Sequence, residues 1–466
     1  MSQHTNAEAT LETISIPQLK AVVRGQIITP QDAEYDEART VFYGGIDRRP
    51  AVIVRVADAA DVARVVTFAR ENGAELAVRS GGHSMAGHGV SDGGIVIDLA
   101  RMKRLEIDVE QRTAWAEAGL TAGEYTEATG AHGLTTGFGD TGSVGIGGIT
   151  LGGGVGFLVR KHGLTIDSLL AAEIVTADGQ ILQIDEHNHP DLFWAIRGGG
   201  GNFGVVTRFK FQLQPVDTIV GGTLILPASP DILRDFIAAA EAAPEELSTI
   251  GAVMTAPPMP FIPAEHHGQL VTRIMLVYAG DVEAGERAVS RFRALATPIA
   301  DMVKPMAYTE MYPPEEGEGY HPVAAARTMF MDNFGQREAD AVFEYLRAST
   351  GQMAVMQIRA LGGAMARVPA DATAFAHRKR RFMVNVATLY QNADDAPAHE
   401  AWASDFAAAL RQDSTGAYVN FLGDEGAARI REAYPGATWD RLVAVKAHYD
   451  PTNLFHVNQN ITPTTS

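Results

Sequence analysis

The stretch Arg79-Ser80-Gly81-Gly82-His83-Ser84-Met85-Ala86-Gly87-His88, followed by Asp92-Gly93-Gly94 and the apolar run Ile95-Val96-Ile97-Asp98-Leu99, sets an imidazole in a glycine-bracketed turn between two β-like segments. Glycine has no Cβ, so such a turn lets the backbone come close to a ligand. The chain reaches this turn through a strand–helix–strand unit. Residues 52–56 are strand-like, Asp58 suits a helix N-cap, and Val62, Val65, Val66 and Ala69 share one helical face. Gly73 stands where a C-terminal glycine stop belongs, and residues 76–78 resume as a strand. A loop at the end of such a strand is a common place to present a functional side chain.

A second glycine-rich stretch spans residues 139–157, where nine of nineteen residues are glycine. So few side chains would make a poor helix or strand core. Free backbone N–H groups along such a run form concavities suited to a pyrophosphate. Interleaved Val144, Ile146, Ile149, Leu151, Val155 and Phe157 speak against a flexible linker. A phosphate or cofactor cradle is the reading. Gly199-Gly200-Gly201-Asn202-Phe203-Gly204 matches a dinucleotide fingerprint on paper. Its flanks are reversed, however: residues 191–197 are helix-like and residues 205–209 strand-like, so no pyrophosphate could sit on a following helix. No Rossmann fold and no phosphate-binding Gly-Lys-Ser/Thr loop is expected.

At 466 residues, with 46% hydrophobic and 20% charged residues, the chain is ordinary globular material with room for two or three domains. A formal charge of −18 argues against nucleic-acid or anionic-membrane partners. The absence of cysteine excludes disulfides, thiolate metal sites and cysteine nucleophiles. Residues 1–10 are polar and lack a signal-peptide pattern, and no apolar run reaches membrane-spanning length, so a soluble cytoplasmic protein is expected. His187 with His189, and His266 with His267, lack further ligands at zinc spacing; no metal site is expected. Gly142-Ser143-Val144-Gly145 has the wrong spacing for a nucleophile elbow.

Beyond residues 215–222 the pattern changes. Strand-like runs at 270–278, 353–361 and 382–390 alternate with helical runs at 231–242, 282–295, 338–347 and 398–410. This predicts an α+β architecture in which helices cover one face of an antiparallel sheet. Residues 417–422 read as a strand, whose period of two places Tyr418 and Asn420 on one face. They form either a satisfied structural pair or, if the pocket lowers the phenol from its usual value near 10, a proton acceptor oriented by an amide. Residues 446–461 are dense in turn formers and amides, which predicts an ordered terminus.

Four motifs, at residues 79–83, 139–157, 191–206 and 449–461, together resemble the berberine-bridge-enzyme-like flavin oxidases of the vanillyl-alcohol-oxidase and p-cresol-methylhydroxylase (PCMH) superfamily. The last motif carries Asp-Pro-x-Asn-Leu-Phe and Asn-Gln-Asn-Ile. The resemblance implies a lead-in at 1–45, a PCMH-type FAD-binding domain at 46–216, a substrate domain at 217–417, and a C-terminal segment, 418–466, that returns to the FAD domain. It implies that His83 bonds covalently to the 8α carbon of FAD as an 8α-N-histidyl link, with His88 near the cofactor but not attached. Further cofactor contacts are implied from Arg79, Ser80, Gly81, Gly82, Ser84 and Gly87, and from Thr141, Val144, Gly145, Gly147, Gly148, Gly153 and Gly156. Val205, Val206, Tyr418, Asn420, Asn458 and Asn460 complete the set. Many relatives attach FAD a second time through a cysteine; Thr141 occupies that position here, so a single link is implied, as in the bacterial 6-hydroxy-nicotine-oxidase-like members. Val144 aligns with a position where a small residue accompanies oxygen reactivity, and Tyr418 and Asn420 with the catalytic-region pair.

The implied reaction takes hydride from a C–H beside an alcohol or amine to flavin N5, with Tyr418 as base, and reduces dioxygen to hydrogen peroxide. The alternatives are an oligosaccharide oxidase, or a flavin dehydrogenase using another acceptor. Sugar and lignin-alcohol oxidases of the family often carry Tyr where this chain has Met85. An apolar set (Met254, Pro257, Pro258, Met259, Pro260 and Phe261, with Tyr308, Met311 and Tyr312) predicts a hydrophobic wall and a flat aromatic or secondary-metabolite substrate. The partners expected are thus a small molecule and dioxygen; nothing in the chain speaks to its oligomeric state.

Overall fold

The computed structural model describes residues 14–216, 218–313, 320–412 and 416–464. The polar residues 1–10 lie outside the described residues. The strand–helix–strand unit forms as its sequence predicts: strands Val52–Arg55 and Leu76–Arg79 flank the helix Ala59–Asn72. The Asp58 side chain caps this helix by accepting from the Asp61 N–H, and Gly73 ends it in the left-handed region at φ 62°. Val62, Val65, Val66 and Ala69 are fully buried on the predicted face. Strand Ile95–Asp98 lies between the two strands and parallel to both, while Gln26–Ile28 adds an antiparallel edge. The His83 turn thus leaves the C-terminal end of a parallel strand.

The next sheet is antiparallel, in the order Leu105–Asp108, Thr113–Glu117, Val205–Gln212, Leu169–Val175, Ile181–Asp185. Pro190–Ile196 is helical, and the loop 199–204 runs from it into an antiparallel strand. That is the reversed order of flanks that the sequence predicts. The 139–157 run departs from its reading in one respect: Ile146–Leu151 is a six-residue helix, with Gly145 at its start.

The central region is one large antiparallel sheet. Its order is Ala300–Asp301, Thr218–Pro227, Leu270–Tyr278, Leu247–Thr255, Met353–Ala360, Phe382–Tyr390, Val323–Met331, with Lys304–Ala307 also pairing Thr218–Pro227. Helices Pro230–Glu241, Val282–Arg293, Gln336–Ala348 and Ala396–Leu410 bury Phe236, Phe292, Phe343 and Phe406 against one face. The other face turns towards the two smaller sheets: Ile250, Val277 and Ala279 join the core that those sheets form.

The chain then returns. Residues 417–422 are not a strand: Val419–Phe421 is a single 3-10 turn, closed by Phe421 N–H on Tyr418 O at 2.9 Å. A further helix, Ala437–Tyr449, ends in an ionic knot that explains the Asp-Pro-x-Asn-Leu-Phe motif. Asp450 accepts from Leu454 and Phe455 N–H, each at 2.8 Å, and from Lys446 Nζ at 2.6 Å. Lys446 also donates to Asn202 O and Phe455 O, both at 2.8 Å. Desolvation pushes the Lys446 ammonium down, and Asp450 pulls it back up. Asn453 turns the loop with φ 55°, a conformation asparagine tolerates better than most residues. Among the described residues, no helix is long and apolar enough to cross a membrane.

Removing one partner of a fully buried pair strands the other charge, at about 3–5 kcal/mol. Asp450→Asn is therefore expected to lower unfolding free energy by about that amount in chemical denaturation, while Arg234→Gln, on an exposed pair, changes it by less than about 1 kcal/mol. His377 gives a pH dependence. It is buried, donates Nε2–H towards Glu432 O and Ala433 O, and is held down to about 4, chiefly by desolvation. Between about pH 6.5 and 4 the unfolded chain binds a proton that folded His377 refuses, so stability falls on acidification and is level above 6.5. The loss at pH 4 reaches at most about 3 kcal/mol, and His377→Gln should flatten that part of a melting-temperature profile.

Candidate functional site

The His83 turn and the glycine run meet backbone to backbone. A Cβ on Gly81 would lie 2.2 Å from Gly145 N, and one on Gly145 would lie 2.2 Å from Gly81 N. Ser80 Oγ bridges the contact, donating to Ala118 O at 2.6 Å and accepting from Gly147 N–H at 3.3 Å. This contact sets His83 against Ser143, with Nε2 and Oγ 3.0 Å apart. Phe42 stacks on the imidazole, the ring centroids 4.1 Å apart and the planes 18° from parallel. His83 therefore has one ring orientation, fixed on an edge and a face.

These residues border a cavity of about 470 Å³, within the usual range for small-molecule sites. From the turn, Arg79, Ser80, Gly81, Gly82, His83, Ser84 and His88 line it; from the run, Thr141, Val144, Gly145, Gly147 and Gly148. Val205, Val206, Tyr418, Asn420 and Asn458 also border it. Gly87, Gly153, Gly156 and Asn460 do not. Their constraints are packing: a Cβ on Gly87 would strike Ile46, one on Gly153 the Phe375 ring, and one on Gly156 would overlap Phe138 O. Asn460 is set back from the wall, its Oδ1 buried without a partner.

Tyr418 Oη is the meeting point of three donors. Gly154 N–H reaches it at 3.0 Å, Val155 N–H at 3.3 Å and Asn420 Nδ2 at 2.9 Å. Asn420 is itself held by Ile149 O at 3.0 Å. Tyr418 and Asn420 thus pair as expected, though through the corner of a 3-10 turn rather than a strand face. Burial raises the Tyr418 phenol above its usual value, against the three donors and Arg359, which pull it down. The phenol is not lowered in this pocket. His88, held down to about 4 by burial and Arg48, is neutral at physiological pH.

The predicted apolar wall is absent from the cavity. Met254 lies in the strand Leu247–Thr255 and packs with Ala256 and Ile262 in a separate cluster. The loop from Pro257 through Pro258, Met259 and Pro260 to Phe261 adds nothing to the lining, and Met259 and Phe261 are exposed. Tyr308 and Tyr312 stand behind the glycine run, Tyr312 Oη donating to Gly139 O at 2.9 Å, and Met311 packs on the same core. In their place the central sheet contributes Gln357, Arg359 and Asn385. Arg359 is 3% exposed and pairs with Asp140 at 2.5 Å. The alternation Gln357-Ile358-Arg359 within a strand was a legible sign of a polar inner face; nothing local marked Ser143, Phe42 or Asp140.

The cavity residues suit a large, partly anionic cofactor such as FAD. Arg79 Nη2 is neutralised by Asp98 at 2.8 Å, but Nη1 is buried without a hydrogen-bond partner, as is Asn458 Oδ1. A Cβ on Gly148 or Gly201 would meet nothing within 4 Å, so space stands open beside the bare backbone of both wall residues.

A family model described as "FAD binding domain" matches residues 50–185, and one described as "Berberine and berberine like" matches residues 417–462. The chain is 30% identical to (R)-6-hydroxynicotine oxidase of Paenarthrobacter nicotinovorans, over 95% of this chain and 97% of that one. It is 30% identical to an uncharacterized FAD-linked oxidoreductase, YgaK, of Bacillus subtilis, over 95% and 98% of the two chains. Among solved structures, 6-hydroxy-D-nicotine oxidase from Arthrobacter nicotinovorans superposes with a TM-score of 0.83 at 27% identity, covering 95% of this chain and 98% of that one. With the histidine turn, the glycine run and the Tyr418–Asn420 pair on one cavity, the chain belongs to the berberine-bridge-enzyme-like family of FAD-linked oxidoreductases.

Proposed function

We propose that the protein is an oxidase that carries FAD on His83 and oxidises a C–H bond beside an alcohol or amine of a small molecule. The carrying observation is that His83, the glycine run and Tyr418 border one cavity although they lie far apart in the chain. When bound, the flavin supplies a two-electron acceptor whose electrons pass on to dioxygen, giving hydrogen peroxide.

The chain's own residues would do the following. Arg79 Nη1, Gly148 and Asn458 hold the cofactor, and Ser143 and Phe42 keep the His83 ring turned for a single attachment. Thr141 offers no thiol, and the chain has no cysteine for a second. Val144, small and on the cavity wall, leaves room for dioxygen. Tyr418 takes the heteroatom proton as the C–H bond breaks. Three donors at its oxygen stabilise the phenolate form, while burial opposes it. Since burial prevails, Tyr418 gains its base form only in alkaline solution.

Two measurements check this reading. Acid-precipitated protein should retain flavin fluorescence and the mass of FAD, and His83→Ala should release both; a flavin freed from the unmodified chain would refute attachment. Anaerobic flavin reduction should accelerate with rising pH towards 10 and beyond. Tyr418→Phe should slow it by about 10²–10⁴-fold and abolish that rise. A rate unchanged by the substitution would remove Tyr418 from the proton transfer.

A further inference from the structure

The face of the central sheet that turns towards the cavity carries one row of side chains across neighbouring strands. In register, Arg273 stands opposite Ala252, Ala252 opposite Gln357, and Gln357 opposite Asn385. Directly opposed residues point to one face, so Arg273 shares the face on which Gln357 and Asn385 line the cavity. Its chain neighbour Ile274 is fully buried in the helix-covered core of the other face, as the alternation requires. Strands about 5 Å apart put Arg273 and Gln357 about 10 Å apart at Cα. The residue between them is an alanine, too short to wall one off from the other. Arg359, two residues beyond Gln357, is a matched cation: it pairs with Asp140 and donates to Gln357 Oε1 at 2.7 Å. Asp140 also acts on Arg273, pulling its guanidinium up while burial pushes it down. Two guanidiniums thus draw on one carboxylate, and one positive charge is left over. Among the described residues no carboxylate comes within ion-pair distance of Arg273. Its hydrogen bond runs from Nη2 to the thioether of Met275 at 3.4 Å, and a thioether is a weak acceptor. Ile225 faces it from the adjoining strand. A half-buried guanidinium with a sulfur for a partner bears a desolvation cost that a methionine in the same space would not. The cation makes sense as half of a pair.

We infer that Arg273 receives a carboxylate carried by the substrate, at the end remote from the C–H bond that is oxidised. The planar fork of a guanidinium holds both carboxylate oxygens by parallel N–H···O bonds, which fixes the direction of the ligand as well as its charge. The reacting end is marked by Tyr418 and by Arg359, whose guanidinium lies 5.1 Å over the Phe421 ring of the same turn. Arg273 stands two strands away from Arg359, so the two ends of the substrate are held apart along the sheet. Arg273 is a specificity residue and takes no part in the proton transfer. This deepens the proposed oxidation, on which it rests, by naming an acidic substrate, and it sets a charge on the sheet face where the sequence predicts an apolar wall.

The test uses the full-length protein with its flavin, under anaerobic conditions. Calorimetry measures the binding of two carboxylates of different reach, benzoate and 4-phenylbutanoate, each against its own primary amide, and of benzylamine and inorganic phosphate. The amides keep the shape and remove the charge. The expected result is that at least one carboxylate binds tenfold or more tighter than its amide, and tighter than benzylamine or phosphate. Arg273→Met should erase that preference without lowering the melting temperature, and Arg273→Lys should restore part of it. Arg291→Met, which removes an exposed guanidinium from a helix on the other face of the sheet, should leave the preference as it was. Equal binding of acids and amides, tighter binding of benzylamine or phosphate, or no binding of any compound would overturn the inference. So would a preference that survives Arg273→Met, or a melting temperature that falls with it, since a fall would give Arg273 a structural role. Loss of flavin from that variant would assign the guanidinium to the cofactor and overturn the inference as well. Flavin retained after acid is scored on the same samples. Its failure alongside a preserved carboxylate preference would strike the proposed oxidation and leave the anion site standing, whereas retained flavin without that preference would strike the anion site alone.

Discussion

Two glycines pressed together decide most of this structure. Gly81 and Gly145 come so close that a side chain on either would occupy the other's amide nitrogen. The contact joins the end of a parallel β-strand to the start of a glycine-rich helix, and Ser80 ties it to the neighbouring sheet through Ala118. His83, Ser143 and Val144 take their places from it, since each lies within two residues of one of the paired glycines. No side-chain packing could substitute, because contact at this distance leaves room for backbone alone. The glycine content of the run is thus partly a steric requirement of the fold and partly, at Gly148, free space facing the cavity.

The second dependence is on the return of the chain. Asn202 donates to Gly199 O and to Gln459 O and accepts from Ile461 N–H, so the 199–204 loop and the C-terminal segment share one amide. Gln459 donates to Leu422 O and Gly423 O, just after the turn that carries Tyr418 and Asn420. Lys446 and Asp450 sit beneath this lattice, buried and mutually neutralised. The position of the phenol at the cavity is thereby coupled to a salt bridge that never touches it. The Gly154 and Val155 N–H groups on Tyr418 Oη, with Asn420 donating to Ile149 O, then register the C-terminal turn against the glycine run.

Much of this was legible in the residues, and the failures have physical causes. The helix Ala59–Asn72 announced itself by cap, face and glycine stop, and the reversed flanks of residues 199–204 excluded a Rossmann-type strand–turn–helix without any structure. The strand Leu247–Thr255 escaped notice because its first eight residues are all buried, which erases the alternation that marks a half-exposed strand. Val323–Met331 carries three successive alanines at 324–326, which favour helix, and pairing with Phe382–Tyr390 overrides them. Residues 417–422 alternate like a strand but lack a partner to pair with, so they close a 3-10 turn. The apolar wall failed for a different reason: composition told which side chains could line a pocket but not which end of a long sheet faces it. The polar residues that line the cavity there, Gln357, Arg359 and Asn385, are ordinary in composition and take their place from register.

The C-terminal segment carries one more consequence, for the order of folding. Val457, Asn458 and Gln459 are part of the cavity wall, and Asn202 meets Gln459 across 257 residues of chain. Closing a loop of that length costs entropy before the contact rewards it. The hairpins of the central sheet, whose partners are near in sequence, can therefore zip up first, and the cavity acquires its last side late.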